Sequence, residues 1–286
     1  MGATIGLDIG GTKISGAVVD GSGAVLAKGR KDTPAHDPAA IVEEVASLIR
    51  ELSSEHEVEA VGVACAGFID RPRSTVYFAP NLAWQDEPLK ERLESVVDLP
   101  IVLENDANAA AWGEFRFGAG RGCAEFLFVT VSTGVGAGLV LDGRLHLARN
   151  GMDAELGETL MPDGRTLEQH ASGSALATLA AQQGYPSGPA LCDAADAGDA
   201  IAEAHLRHGI RALAGKLADL AVLLGIERTA IGGGLGLRAG YVERLREELH
   251  RLPALYRHEI MRAQLGADAG LHGGAALASE EKLRSF

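Results

Sequence analysis

Cysteine is scarce in this chain of 286 residues: Cys65, Cys123 and Cys192 are the only three, far apart and without a C-x-x-C spacing. Neither a disulfide framework nor a cysteine zinc site is indicated by that pattern, and all three read as reduced and structural. Long apolar runs are missing too, since no stretch reaches the roughly 18 residues a membrane span requires, and a soluble protein is expected. Positive charge is in deficit, with 26 basic against 39 acidic residues and a net charge of −13. That balance disfavours a general attraction to nucleic acid or anionic lipid, so any phosphate has to be held locally. The opening residues Met1-Gly2-Ala3-Thr4 show no leader pattern and run directly into a strand, which predicts a cytoplasmic location. No linker or low-complexity tract interrupts the chain. What remains is a globular balance, 47% hydrophobic and 23% charged, long enough for two domains of ordinary size.

The rest of the chain is organised around residues 101–113. Ile101-Val102-Leu103 reads as a strand, Glu104-Asn105-Asp106 breaks it with three polar groups, and Ala107 to Gly113 is an Ala-rich helix former. The polar trio therefore projects from a strand's carboxyl end, where open α/β sheets hold ligands. Asn105 or Asp106 equally suits a plain helix cap, accepting a hydrogen bond from a first-turn N–H.

Residues 4–9, 14–19 and 24–28 read as an antiparallel meander joined by Gly10-Gly11-Thr12-Lys13 and Gly21-Ser22-Gly23. Asp37-Pro38 signals a helix start, with Ile41, Val45, Leu48, Ile49 and Leu52 on one face. Val58 to Ala66 is the apolar run of a central strand, ending at Gly67. Residues 70–82, with Pro72, Pro80 and Asn81, read as a loop before a helix near 87–97. The opening pattern then recurs: strands at 126–131 and 137–141 flank Ser132-Thr133-Gly134-Val135-Gly136, and Asp142-Gly143 turns the chain. At an offset of 122 residues Gly16, Asp20 and Gly21 match Gly138, Asp142 and Gly143, which suggests two lobes of similar design, each offering a Gly/Thr turn to one cleft. A long amphipathic helix over 200–224, a strand at 229–231, the turn Gly232-Gly233-Gly234 and a helix over 241–252 follow.

Glycine turns let backbone N–H groups approach an anion, and Thr12 and Lys13 add two donors for phosphate oxygens. Such a turn is also an ordinary hairpin connection, so each alone is a weak signal. Asp8 strengthens it. A carboxylate inside an apolar strand is costly unless it meets a cation, and the Mg²⁺ that accompanies a nucleotide is the natural candidate.

Together these residues resemble the ROK family of sugar kinases, within the actin-like ATPase superfamily, over nearly the whole chain. Asp8-Ile9-Gly10-Gly11-Thr12-Lys13 is similar to the family's first phosphate motif, Ser132 to Gly138 to its second, and Ile231-Gly232-Gly233-Gly234-Leu235 to its adenosine motif. Glu104 to Ala110 resembles the segment carrying the catalytic aspartate. The resemblance implies an α/β protein with a two-lobed actin-like ATPase (ribonuclease H-like) fold, a duplicated β-meander core and an interlobe cleft. The expected small lobe comprises residues 1–118 plus a C-terminal helix of about 270–286, and the large lobe 119–269. It implies an ATP-dependent hexose 6-kinase with Mg²⁺ held by Asp8 through water, and a homodimer. Asp106 is then the general base, with Gly67, Asn81 and Asn105 orienting the sugar, and Gly10, Gly11, Thr12, Lys13, Thr133, Gly134, Gly233 and Gly234 binding the nucleotide. One aligned carboxylate suffices as base, because phosphoryl transfer needs positioning and charge stabilisation above all.

The chain departs from the family at the sugar segment. Gly151 to Glu158 resembles the E-x-G-H motif, but Glu158 stands where the histidine is expected. The cysteine-rich zinc loop is replaced by the short connection Met161 to Leu167 before Glu168, so no zinc is expected. Glu155, Glu158 and Glu168 thus face the sugar as three carboxylates, a set suited to an aminohexose such as glucosamine or kanosamine. Alternatively Glu158 points to solvent or pairs with Arg165. A sugar-responsive transcription repressor is disfavoured, since only Met1 to Thr4 precede the first motif and the charge opposes DNA. A decayed, non-catalytic regulator is disfavoured by the presence of Asp8, Lys13, Asp106 and Thr133.

Overall fold

The computed structural model describes residues 2–70, 74–79, 82–148 and 153–284. Contacts gather the chain into two compact units: Met1–Arg121, Leu145–Asp153 and Ala267–Phe286 form the first, and Gly122–Arg144 with Ala154–Gly266 the second.

In the first unit the short alternating segments at the start of the chain pair as a meander, β1 (Ala3–Ile9), β2 (Lys13–Val19) and β3 (Val25–Asp32). Helix α1 (Pro38–Ser53) covers it. Asp37 caps this helix by accepting from the N–H groups of Ala39 and Ala40, and Ile41, Val45, Leu48, Ile49 and Leu52 are buried against Ile5, Leu7, Ile9 and Ile14. The apolar run at 58 becomes β4 (Val58–Cys65), parallel to β1.

Residues 70–82, read from the sequence as a loop, instead contribute to a small antiparallel sheet of β5 (Phe68–Asp70), β6 (Thr75–Ala79) and β7 (Trp84–Glu87). Pro72 and Pro80 lie outside the described residues and bracket a β-branched and aromatic run, Thr75-Val76-Tyr77-Phe78, whose strand propensity outweighs the loop signal around it. Helix α2 (Leu89–Glu94) is shorter than the expected 87–97. Then β8 (Ile101–Asn105) pairs in parallel with β4, completing the order β3-β2-β1-β4-β8, and α3 (Asp106–Phe117) follows. The C-terminal helix (Ala269–Arg284) packs backbone to backbone on this sheet and on α3. A Cβ at Gly62 would overlap the carbonyl of Gly274, and one at Gly273 the carbonyl of Ala109.

The second unit repeats the plan. β9 (Phe126–Val131), β10 (Val135–Leu141) and β11 (Arg144–Leu145) form its meander, and β12 (Arg228–Gly232) and β13 (Glu259–Arg262) add in parallel, giving the order β11-β10-β9-β12-β13. Gly16 on β2 lies opposite Leu7, and its match Gly138 on β10 lies opposite Phe128, so the sequence duplication is one of strand pairing. Helices α4 (Glu168–Ala171), α5 (Gly173–Gln182), α6 (Gly188–Asp196), α7 (Ala200–Leu224) and α8 (Tyr241–His250) complete the unit. Asp199 caps α7, Gly225 ends it at φ 70°, and its buried Leu206, Leu213 and Leu217 share a core with Val129, Ile231 and Leu245.

Candidate functional site

The three parallel strands of the first unit end in register. Asp8, Ala64 and Glu104 are side by side on β1, β4 and β8, followed by Ile9, Cys65 and Asn105. The polar trio of residues 104–106 and the Gly10–Lys13 turn therefore share one sheet end. Asn105, not Asp106, takes the main cap role. Its Oδ1 accepts from the N–H of Ala107 at 2.9 Å and of Asn108 at 3.2 Å, while its Nδ2 donates to the Gly67 carbonyl at 3.0 Å. Gly67 has φ 120°, and a Cβ there would overlap the carbonyl of Phe78.

Among the described residues the Asp106 carboxylate is met only by backbone N–H groups next to it, that of Ala107 donating to Oδ1 at 2.8 Å. It is exposed to a water-sized probe, yet the surrounding protein strips enough hydration to raise its carboxyl above the ordinary range. Asp8 is pushed up to about 6, first by burial and then by the Asp106 charge, against the pull of Lys13. The two carboxylates are thus close enough to repel. Glu104 is spent on structure: it accepts from the Asn105 N–H at 2.8 Å and from Asn108 Nδ2 at 3.1 Å, and Asn108 also donates to the buried Asp153 at 3.3 Å. Asp153 in turn accepts from the Ala148 N–H. No sequence signal pointed to that network, because Asn108 and Asp153 stand 45 residues apart. Thr12 and Lys13 are exposed, and Thr33 braces the turn by donating to the Gly10 carbonyl at 2.7 Å. Asn81 lies outside the described residues, as do Gly151 and Met152.

Among the described residues no three His, Cys, Asp or Glu side chains are grouped to hold a metal. A single desolvated carboxylate beside a glycine turn does fit Mg²⁺, which keeps its waters and is shared with phosphate oxygens rather than caged by protein.

In the second unit β9 and β12 end together. The Val131 carbonyl accepts from the N–H groups of Leu235 and Gly236, both at 3.0 Å, and Gly233 sits at φ 81° where a Cβ would overlap that same carbonyl. Ser172 caps α5, and the N–H groups of Gly173 and Ser174 donate to the carbonyls of Ser132 at 2.7 Å and Thr133 at 3.1 Å. These bonds pin the turn from behind and leave the Thr133 side chain exposed. Beside it opens a cavity of about 500 Å³, within the range of small-ligand sites, lined by Thr133, Ala177, Pro189, Cys192, Gly234 and Arg238. Arg238 is tied to α6 through Asp193 at 2.5 Å and Asp196 at 2.8 Å.

Glu168 opens α4 and accepts from the Val135 N–H at 2.8 Å; a Cβ on Gly134 would overlap its carboxylate. The carboxylate is therefore braced on the Gly/Thr turn itself. Glu155 is half-buried and starts a single 3-10 turn, Leu156–Glu158, after Ala154 at φ 47°. Glu158 is exposed and has no partner among the described residues. The ion pair with Arg165 is not formed, since Arg165 is engaged by Asp163 at 2.8 Å and faces His170. Ser174, Arg238 and the His170 cluster escaped the sequence reading. The cap pattern Ser172-Gly173-Ser174 directly after Glu168 was a usable signal for the first, and nothing local marks the others.

The model of the ROK family matches residues 4–281. A glucokinase of Streptomyces coelicolor is 40% identical over 98% of each chain. An N-acetylmannosamine kinase of Yersinia pseudotuberculosis is 36% identical over 96% of this chain and 98% of its own. A crystal structure of a ROK family glucokinase from Streptomyces griseus, in complex with glucose and AMPPNP, is 37% identical and superposes with a TM-score of 0.82 over 98% of this chain and 100% of its own.

Proposed function

This chain belongs to the ROK family and is a glucokinase-like sugar kinase, and we propose that it transfers the γ-phosphoryl group of ATP to the 6-hydroxyl of glucose or an amino-glucose. The observation that carries this reading is Asp106: a desolvated carboxylate at a strand end, with the capping duty taken by its neighbour and, among the described residues, no side chain bonded to it. A raised carboxyl is a better proton acceptor, and positioning it at the hydroxyl is most of what the reaction asks of the base.

The nucleotide base and ribose suit the 500 Å³ cavity beside Gly233 and Gly234. Phosphate oxygens are met by backbone N–H groups and hydroxyls at Thr133 and Gly134, and by Gly10, Gly11, Thr12 and Lys13. Asp8 would hold Mg²⁺ through water, and the charge of that ion neutralises the phosphates when bound. The sugar is assigned to Gly67, Asn81, Asn105, Glu155, Glu158 and Glu168. Asn105 has only its second amide hydrogen to offer, since Oδ1 serves the helix and the first hydrogen serves Gly67. Asp106→Asn is expected to lower turnover by ~10² or more while leaving sugar affinity within several fold. Turnover near wild type, with sugar binding intact by calorimetry, would remove Asp106 from the mechanism.

A second reading, an amino-sugar kinase, is favoured by Glu158, an exposed carboxylate without a partner among the described residues. An ammonium on the substrate supplies that partner through a charge-assisted bond, worth about 5 to 150 fold in kcat/KM. Glucose, glucosamine and kanosamine are to be compared in wild type and in Glu158→His. Unchanged ratios, with glucose ahead, would make Glu158 a solvated residue.

A further inference from the structure

Thr159 to Leu167 forms a small hairpin directly before Glu168, with Leu160 bridged to Thr166 and the Leu167 N–H donating to the Thr159 carbonyl at 2.9 Å. Apolar burial anchors only its base, where Leu167 is fully buried and Met161 packs against the core. Residues 162–165 are exposed and Leu160 is 66% exposed, while α4 is a single turn whose N-cap, Leu167, has no capping side chain. Polar contacts hold the rest, and one of them is Lys216 Nζ of α7 donating to the Leu160 carbonyl at 2.9 Å. Asp163 and Arg165 of the hairpin bond to each other at 2.8 Å, and both meet the buried His170 of α4: Asp163 Oδ1 lies 3.1 Å from its Nε2 and Arg165 Nη2 3.3 Å from its Nδ1. His208 of α7 brings Nε2 to 3.2 Å from the same Nδ1. It is delivered by a close helix crossing, since at the next residue, Gly209, a Cβ would come within 2.7 Å of the His170 carbonyl.

The proton positions in this cluster follow from chemistry. A guanidinium can only donate, so Nδ1 of His170 accepts with its single lone pair, which Arg165 Nη2 and His208 Nε2 share, while its Nε2 carries the proton and donates to Asp163. Burial holds His208 towards its neutral form and Arg165 holds the Asp163 carboxyl well below the usual range, as that arrangement requires. The Asp163 and Arg165 side chains are thereby tied to α4, and through His170 to α7, and Glu168 lies two residues before His170.

We propose that His170 and His208 are positioning residues for the sugar, locking the 159–167 hairpin and α4 so that the Glu168 carboxylate stays on the Gly134–Val135 turn. The proposal rests on the assignment of Glu168 to the sugar. Steady-state kinetics on the full chain test it. His170→Ala is expected to raise the sugar KM about 10 fold, the value of one or two lost hydrogen bonds, with the ATP KM within twofold. His170→Gln, whose amide still donates to Asp163, recovers most of that loss, and His208→Ala raises the sugar KM by about 3 fold. A folded His170→Ala with unchanged sugar KM overturns the proposal, as does an equal rise in both KM values without recovery by Gln. If His170→Ala does not fold, His208→Ala decides on the same criteria. Glu168→Gln separates the two layers: an unchanged sugar KM there refutes the Glu168 assignment itself, whereas a raised one beside an unaffected His170→Ala refutes only the positioning role.

Discussion

The hairpin of the first unit leaves residues 10–13 between its last strand pair, Ile9 and Ile14, whereas that of the second leaves only 132–134 between Val131 and Val135. The longer turn is charged: Lys13 ends it, and Asp8, one residue before the pair, sits in the field of Asp106. The shorter turn is neutral and is stapled from outside, by Gly173, Ser174 and Glu168. Duplication has kept what the sheet requires, a strand-turn-strand with one glycine opposite the first strand. The polar chemistry has diverged, towards a cation and phosphate in one unit and towards backbone and hydroxyl donors in the other.

The largest effect expected from that contrast is on catalysis. Asp8→Asn should lower kcat/KM by about 10² to 10³ fold and raise the Mg²⁺ requirement, while Thr133→Val, which removes one neutral hydroxyl, costs about 10 fold or less. Equal losses would erase the distinction between the turns. The same substitution has an opposite effect on stability. The Asp8 carboxyl titrates near 6 in the folded protein against 3.8 ordinarily, so ionising it costs stability above that window and nothing below about 4. Asp8→Asn is therefore expected to stabilise the ligand-free protein by up to about 3 kcal/mol at pH 7.5, and negligibly near pH 4, in urea titrations. A variant no more stable than wild type at pH 7.5 would show that Asp8 is not strained. In the neutral turn Gly134→Ala pushes the Glu168 carboxylate off the Val135 N–H, and a rise of about 10 fold in sugar KM is expected, the worth of one charge-assisted bond. Smallest of all, a zinc-selective chelator should leave activity unchanged, and elemental analysis finding one zinc per chain would contradict it.

Much of the fold was legible because burial leaves a period. The apolar strand runs at residues 4–9 and 126–131, the face Ile41 to Leu52 and the cap at Asp37 correspond to the elements found. The run at 75–79 was hidden because prolines near it carry a strong loop signal of their own, although a β-branched stretch between them still forms a strand. In the candidate site the glycine turns and the Glu104–Asp106 trio were visible as motifs. The bracing of Glu168 on Val135, the Glu104–Asn108–Asp153 network and the meeting of His170 with His208 were not, since their partners stand 33, 45 and 38 residues apart.

The sequence by itself determined two repeats of one meander, the helices that cover them, and the polar residues that stop each strand. Hydrophobic burial has no direction, so a sequence of apolar and polar positions is enough to specify it. Which of two adjacent polar residues caps α3 was decided only by tertiary structure. Asn105 takes the extended conformation of a cap, at φ −62° and ψ 146°, and its amide finds Gly67, a residue 38 positions earlier, relieving Asp106 of the main cap role. A hydrogen bond needs a donor, an acceptor and an angle supplied by chain that is distant in sequence, and that is information the local pattern does not carry.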